Sequence, residues 1–266
     1  MDTRSIDTSR EYWDRAARDY DYVFPLQIIG QLQRAAVWRK LAQVFPAGDR
    51  ILELNCGTGI DAAYLAERGV RVLACDLSPR MIEVAGDRLR SRGLSELVEF
   101  RALPTEEIAS LSGEGLFDGA FSNFSGLNCV EDLSAVAANL ARLLRPGARV
   151  LICVIGRFVP WEMVWYLAHA EAGRATLRLK RSAHNGEHGV KVYYHSVPEI
   201  ARMFSPGFRL RHRSGIGITV PPTQLEHLAR RFPAAAGRLA RVDQVLGKLP
   251  LFRAMGDCAL LEFERM

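Results

Sequence analysis

Two glycines and an aspartate are the residues of this chain best placed to do chemistry. In Asn55-Cys56-Gly57-Thr58-Gly59 the glycines remove Cβ atoms where a ligand must approach the backbone, and a helix starting behind them offers free N–H groups. Asp76 follows about twenty residues on, where a carboxylate receives the hydroxyls of a ribose. The spacing points to a nucleoside-bearing ligand. On the glycines alone the ligand stays open, because Gly57-Thr58-Gly59-Ile60-Asp61-Ala62 also satisfies the G-x-G-x-x-G/A dinucleotide pattern. An NAD-dependent oxidoreductase therefore competes at this level.

A second constellation, His184-Asn185-Gly186-Glu187-His188, matches H-x-x-E-H. Metal binding by that motif needs a helix to bring both histidines to one ion, whereas Asn-Gly favours a hairpin turn, so no metal site is expected.

The elements that must position these residues read as alternating strands and helices. Ile51 to Leu54 form a short apolar run suited to a buried parallel strand, and Asn55 to Gly59 end it. Asp61 to Arg68 carry a helical pattern, Gly69 stops it, and Val70 to Cys75 give the next strand. Ser78 is placed as an N-cap with Pro79 at the first helical position. Leu97 to Arg101, Phe117 to Ser122 and Arg149 to Ile155 supply further strands, and Leu133 to Leu144 an amphipathic helix.

Four motifs in order resemble the class I S-adenosylmethionine-dependent methyltransferases. They are Glu53-Leu54-Asn55-Cys56-Gly57-Thr58-Gly59; Cys75-Asp76-Leu77-Ser78-Pro79-Arg80-Met81; Phe117-Asp118-Gly119-Ala120-Phe121-Ser122-Asn123; and Leu143-Leu144-Arg145-Pro146-Gly147 with the strand that follows. The resemblance covers roughly residues 50 to 156 and is specific for the superfamily, not for a substrate. It implies an α/β fold, a doubly wound, mostly parallel seven-stranded sheet of order 3-2-1-4-5-7-6 with the last strand antiparallel.

The resemblance also implies S-adenosylmethionine as cofactor and S-adenosylhomocysteine as product. Glu53, Asn55, Cys56, Gly57, Thr58 and Gly59 would form the first wall of that site, and Asp76, Leu77 and Met81 the second. Leu103 and Asn123 complete the set from the ends of the third and fourth strands. Asn55 stands where many members have glycine, and asparagine accepts a left-handed backbone. After the third strand, where an acid often meets the adenine amino group, this chain reads Phe100-Arg101-Ala102-Leu103-Pro104. Adenine recognition then falls to backbone amides or to Glu106 and Glu107.

Residues 1–48 read as a helical arm or lid. Tyr12, Trp13, Ala16, Ala17 and Tyr20 share helical spacing, and related enzymes fold such an arm over the cofactor, which makes Tyr20 a candidate donor to the methionine carboxylate. Plain packing explains the same stripe.

Residues 157–205 read as a cap inserted within the single domain of residues 1–266. An aromatic-rich helix start contains Trp161, and a hairpin pairs Ala175 to Arg181 with Val190 to His195. A cap of this composition suits an apolar or aromatic small-molecule acceptor, with Phe124, Asn128 and Trp161 as substrate contacts. Asn123 and Asn128 fit equally as loop-holding Asx turns. His195 is the first candidate base for an oxygen acceptor and His169 the second. A non-catalytic cofactor-binding regulator is the third reading, since no catalytic constellation stands out.

The chain has 266 residues, 48% hydrophobic and 24% charged, enough for one large core. No apolar run reaches a membrane span and the first residues are unlike a signal peptide, so a cytoplasmic protein is expected. Cys56, Cys75, Cys129, Cys153 and Cys258 read as buried free thiols. The net charge of +5 comes from arginine spread along the chain, which disfavours a nucleic-acid partner. The surplus helix between the sixth and last strands, Thr223 to Phe232 and Ala234 to Leu246, reads as an extension of the cap or a homodimer surface.

Overall fold

β1 (Arg50–Leu54) sets the frame: its apolar run is buried throughout, and strand alternation sends Ile51 and Glu53 to one face and Leu52 and Leu54 to the other. A computed structural model of the chain describes residues 3–184 and 190–266, with side chains from Ile6 onward. The remaining strands are β2 (Arg71–Asp76), β3 (Val98–Ala102), β4 (Phe117–Ser122), β5 (Leu144–Ile155), β6 (Ser182–His184), β7 (Lys191–Tyr193), β8 (Phe208–Ile216) and β9 (Cys258–Arg265). Seven of them form one sheet in the order β3-β2-β1-β4-β5-β9-β8. The β1–β5 pairings are parallel, and β9 runs antiparallel to both of its neighbours. With the β6–β7 hairpin left out of the count, this is the order and direction expected from the sequence.

The helices are α1 (Thr3–Ala16), the single turn α2 (Tyr20–Val23), α3 (Ile28–Val44), α4 (Ile60–Ala66), α5 (Pro79–Ser91), α6 (Ser134–Leu143), α7 (Pro160–Ala168), α8 (Ala172–Ala175), α9 (Val197–Phe204), α10 (Glu226–Arg231) and α11 (Pro233–Leu246). Parallel strands need covering on both faces, and two apolar clusters supply it. One packs Leu52, Leu54, Leu73, Leu140, Phe204 and Phe263 beneath α6 and α9. The other packs Ile51, Val72, Phe121, Leu41 and Leu65 beneath α3 and α4. Ser78 caps α5 as expected, its Oγ accepting from Met81 N at 3.1 Å.

Two expectations shift. The first hairpin arm is not Ala175 to Arg181: Leu177–Leu179 is a 3-10 turn, and pairing begins at Ser182. The reason is Arg178, whose guanidinium reaches Glu162 on α7 and Asp257 ahead of β9, winding that stretch inward. Asn185 to His188 of the H-x-x-E-H match lie outside the described residues.

The surplus helices pack chiefly on α3, touching the cap only where Gln224 Nε2 ahead of α10 donates to the Tyr166 hydroxyl of α7 at 2.8 Å. α10 and α11 bury Ala229 and Ala236 against Ile29 at the start of α3, and both oxygens of Glu226 accept from Ile28 N and Ile29 N at 2.9 and 3.1 Å. They close the flank of α3, where a carboxylate suits the helix N-terminus. Among the described residues no helix is long and apolar enough to cross a membrane.

Candidate active site

The loop after β1 is built from backbone conformations that few residues tolerate. Asn55, Gly57 and Gly59 have φ of 57°, 53° and 71°, and a Cβ on Gly59 would stand 2.8 Å from that of Ala85 on α5. Asn55 holds its own left-handed turn by spanning the strand ends: Nδ2 donates to Thr105 Oγ1 at 2.9 Å and Oδ1 accepts from Ser122 Oγ at 3.0 Å. Asp76 clasps the loop from β2, Oδ2 accepting from Gly57 N at 2.8 Å and Oδ1 from Ser78 N at 2.9 Å. A carboxylate offers about four lone-pair positions, so the loop does not use them all.

Beneath the loop lies a charged cluster. Period-two alternation points Glu53 to the α3–α4 face, where Arg34 and Asp61 stand. Asp61 Oδ2 accepts from Arg34 Nη1 and from Asn123 Nδ2, the latter at 2.9 Å, while Oδ1 accepts from Trp38 Nε1 at 2.6 Å. Glu53 is 1% exposed, and neither its Oε2 nor the Nε of Arg34 has a partner. Burial, and then Asp61, push the Glu53 carboxyl well above its ordinary value, with Arg34 opposing them. Burial also raises Asp76, against the Ser78 and Gly57 N–H groups that lower it.

The arm closes the top. Asp14 accepts from Ser78 Oγ at 2.5 Å and from Arg80 N at 3.2 Å, and Asp21 accepts from Thr58 Oγ1 at 2.6 Å and pairs with Arg88. These anchors lay the Tyr20 ring on the loop, 3.7 Å from where a Gly57 Cβ would be. Burial pushes the Tyr20 phenol up to about 12, so it remains a donor at neutral pH. Phe24 then packs edge-on against Phe124, whose φ of 40° and that of Ser125 at 72° turn the β4 loop inward.

Together these parts enclose a cavity of about 300 Å³ at the carboxyl ends of the strands. Its lining is mixed: Tyr20, Asn55, Gly57, Asp76 and Glu106 supply polar and acidic groups. Trp13, which meets Tyr20 edge-on, and Phe124, Val130, Ile155, Val190 and Val192 supply an apolar surface. Such a lining favours a cation over a pyrophosphate, which would face Asp76 and Glu106 together.

Residues 51–147 match the sequence model of the family described as "Methyltransferase domain". Residues 51–147 thus carry the sequence of a methyltransferase domain, on a fold shared with a solved S-adenosylmethionine-dependent methyltransferase. It is 37% identical over 145 residues to a demethylmenaquinone methyltransferase of Clavibacter sepedonicus, covering 53% of this chain and 55% of that one. It is 29% identical over 175 residues to a ubiquinone biosynthesis O-methyltransferase of Xanthomonas axonopodis pv. citri, covering 66% and 69%. The chain thus spans about half to two thirds of the length of these relatives. In fold it is similar to the CcbJ methyltransferase of Streptomyces caelestis, with a TM-score of 0.58 at 16% identity over 88% of this chain and 95% of that one.

A class I methyltransferase domain takes S-adenosylmethionine, and the residues present fit that group. The spare lone pairs of Asp76 suit ribose hydroxyls, the orphaned Glu53 oxygen and the acidic wall suit its cationic amine and sulfonium, and Leu77 and Met81 line an apolar slot beside them. Of the residues singled out from sequence, Tyr20, Asn55, Gly57, Asp76, Leu77, Met81, Asn123 and Phe124 line the cavity. Glu53, Cys56, Thr58 and Gly59 form the layer beneath or beside it. Leu103 packs partly on the core, with its N–H donating to Asp76 O at 2.8 Å. Of the two acids considered for adenine, Glu106 lines the cavity and Glu107 points to solvent.

The remaining candidates stand elsewhere. Asn128 is fully buried and commits both ends of its amide to backbone, Nδ2 to Tyr193 O at 2.7 Å and Oδ1 to Ile155 N at 3.0 Å, tying the hairpin to β5. His195 Nε2 lies 2.9 Å from Val130 O and lines a different cavity. His169 Nδ1 meets Trp165 O at 2.8 Å on the outer end of α7, and Trp161 on the same helix is 45% exposed.

Arg34, Asp61, Asp14, Asp21 and Cys129 were not singled out. Arg34 carries the one signal that could have marked it: with Ile29, Val37 and Leu41 it occupies the buried face of α3, a charged residue on an apolar stripe.

Proposed function

We propose that this protein transfers a methyl group from S-adenosylmethionine to a small-molecule acceptor with an apolar or aromatic body. One observation carries the reading: a single cavity holds the glycine loop and Asp76 together with an apolar lining of Trp13, Phe124, Val130, Val190 and Val192. The cofactor supplies an electrophilic methyl, so the chain's task is to hold an acceptor at near-attack distance and exclude water. The Trp13 and Phe124 rings offer flat apolar faces for an aromatic acceptor. Tyr20, a neutral phenol, donates toward the methionine carboxylate, and Arg34 lies behind it as the nearby positive charge. Where the acceptor must lose a proton, Glu106 is the lining carboxylate with no partner among the described residues. The Cys129 thiol, pushed up to about 12 by burial and then by Asp76 and Glu106, stays protonated and is no base. Relatives named for menaquinone and ubiquinone methylation support a ring-bearing acceptor.

Calorimetric titration with S-adenosylmethionine, S-adenosylhomocysteine and NAD tests the first half of the reading. Binding of both sulfur nucleosides, without NAD, is expected. A mass-spectrometric screen of quinols, phenols and apolar amines for a gain of one methyl tests the second. Binding without methylation of any class would leave a cofactor-binding regulator; tighter binding of NAD would overturn both halves.

A further inference from the structure

A second cavity, of about 210 Å³, lies on the α9 side of the sheet between β5, β8, the start of β9 and the start of α9. Its walls are mostly apolar, including Val154, Phe158, Val197, Pro198 and Ala259, and its charged lining is entirely basic: Arg157, Arg213 and Arg253, with His195 beside them. Among the described residues no aspartate or glutamate lines it.

A register irregularity puts Arg213 there. In the β8–β9 pairing Leu210 faces Phe263 and His212 faces Glu262, so Arg211 is an extra residue. Directly paired residues share a face, and the bulge exchanges faces for the remainder of the strand. Arg213 consequently pairs with Leu261 and takes the same side as Phe263 and Leu261 of the apolar cluster. Without the bulge it would sit on the opposite face with Lys40 and Glu262.

Neither Arg213 nor Arg253 has a side-chain partner among the described residues, and the Nε of Arg253 is buried without one. Burial, and then the nearby Arg253 charge, push Arg213 below its ordinary value. The neighbouring acids are already engaged. Asp257 is held by Arg178 at 2.8 Å and Gln33 at 3.0 Å, and Glu199 accepts from Ser196 N and Oγ at 2.7 Å each. Arg157 donates to Leu179 O at 2.7 Å and pairs with Glu199 at 4.0 Å, which leaves Arg213 and Arg253 as the uncompensated pair. Half-buried cations of one sign are costly unless an anion joins them, and guanidinium groups match the planar oxygens of carboxylates and phosphates.

We propose that this cavity binds a small organic oxyanion, a carboxylate or phosphate ester with a short apolar body, held by Arg213 and Arg253. The site is distinct from the methyl-transfer cavity but adjoins it: Ile155 lines both, and His195 in one touches the Val130 carbonyl of the other. The inference does not depend on the cofactor reading.

Benzoate, phenyl phosphate and inorganic phosphate, each against chloride at matched ionic strength, are the probes, read by thermal melting and calorimetry. Saturable binding of benzoate or phenyl phosphate is expected, and which of the two binds tighter separates a carboxylate from a phosphate ligand. The R213Q/R253Q variant is expected to bind at least about tenfold more weakly, as losing charged hydrogen bonds implies. Without anion, R213Q should melt no lower than the wild type, because a repulsion has been removed. R253K, which keeps the charge but loses the fork, should weaken binding and decides the matter if the double variant does not fold. No saturable effect beyond chloride, or unchanged affinity in the variants, overturns the proposal.

Discussion

Replacing Glu53 by glutamine should make the empty protein more stable and the cofactor complex weaker. Glu53 is 1% exposed, one of its oxygens has no partner, and Asp61 and Asp76 add negative charge around it, offset only in part by Arg34. An amide of the same shape removes the charge and can donate to the neighbouring carboxylates. Relief of an unsatisfied buried group is worth about 1–3 kcal/mol. For a chain of this size that raises the melting temperature by about 2–4 °C per kcal/mol.

The pH dependence fixes the sign. A carboxyl raised in the folded state contributes stability below its unfolded pKa and loses it as pH rises through the folded value. Wild type and Glu53→Gln should therefore melt together in acid and diverge toward neutral pH, with the variant higher. If Glu53 serves the cationic end of the cofactor, the variant should bind S-adenosylmethionine about 10- to 150-fold more weakly, the loss of one charged hydrogen bond. Melts from pH 4 to 8 and calorimetry of both proteins make the test. A variant that melts below wild type at pH 7 and binds the cofactor unchanged would refute the reasoning on both counts.

Asp76→Ala should weaken cofactor binding by about 1.5–3 kcal/mol and also lower stability, because the Gly57 and Ser78 N–H groups lose their acceptor; calorimetry and melting separate the two effects. His195→Ala should cost about 1 kcal/mol of stability through its bond to Val130 O and leave turnover of the eventual acceptor within a few-fold, and a hundredfold loss in a folded variant would instead restore it as a base. Gly126→Ala would place a Cβ 2.3 Å from that of Asn55, so it should destabilise by about 1–3 kcal/mol or more and disturb the loop; an unchanged melt would show that the β4 loop yields freely.

What could be read from the sequence was what the chain encodes locally. The run from Ile51 to Asp76 specifies strand, loop, helix and strand within one βαβ unit, so its glycines and its acid followed directly, while the sheet order came from the resemblance to the methyltransferases. The Asn55 reading held for the same reason, a left-handed residue at a fixed place in a turn. Contacts that join distant segments were not legible. Arg34 and Asp61 meet across 27 residues, Thr58 and Asp21 across 37, and Glu226 caps α3 across 198, none with a local signal. The hairpin boundary slipped because alternation cannot foresee that Arg178 is drawn inward by Glu162 and Asp257. His195 was conspicuous as a residue type, but the Val130 carbonyl that occupies it is 65 residues away.

The interior position of β9 has a consequence for how the molecule assembles. β1 meets β2 and β2 meets β3 through short crossovers, and β1 reaches β4 across 68 residues, whereas the β5–β9 pairing brings Arg149 to Glu262 across 113 residues. Closing so long a loop delays contact formation, so the nucleoside-binding half should become native first and the β9–β8 half later. Until β9 docks, β5 and β8 both present open edges that invite pairing with other chains. Refolding followed by stopped-flow should then show cofactor binding recovering ahead of the Arg213–Arg253 cavity, which needs β8 and β9 together. Simultaneous recovery would mean that the sheet forms as one unit.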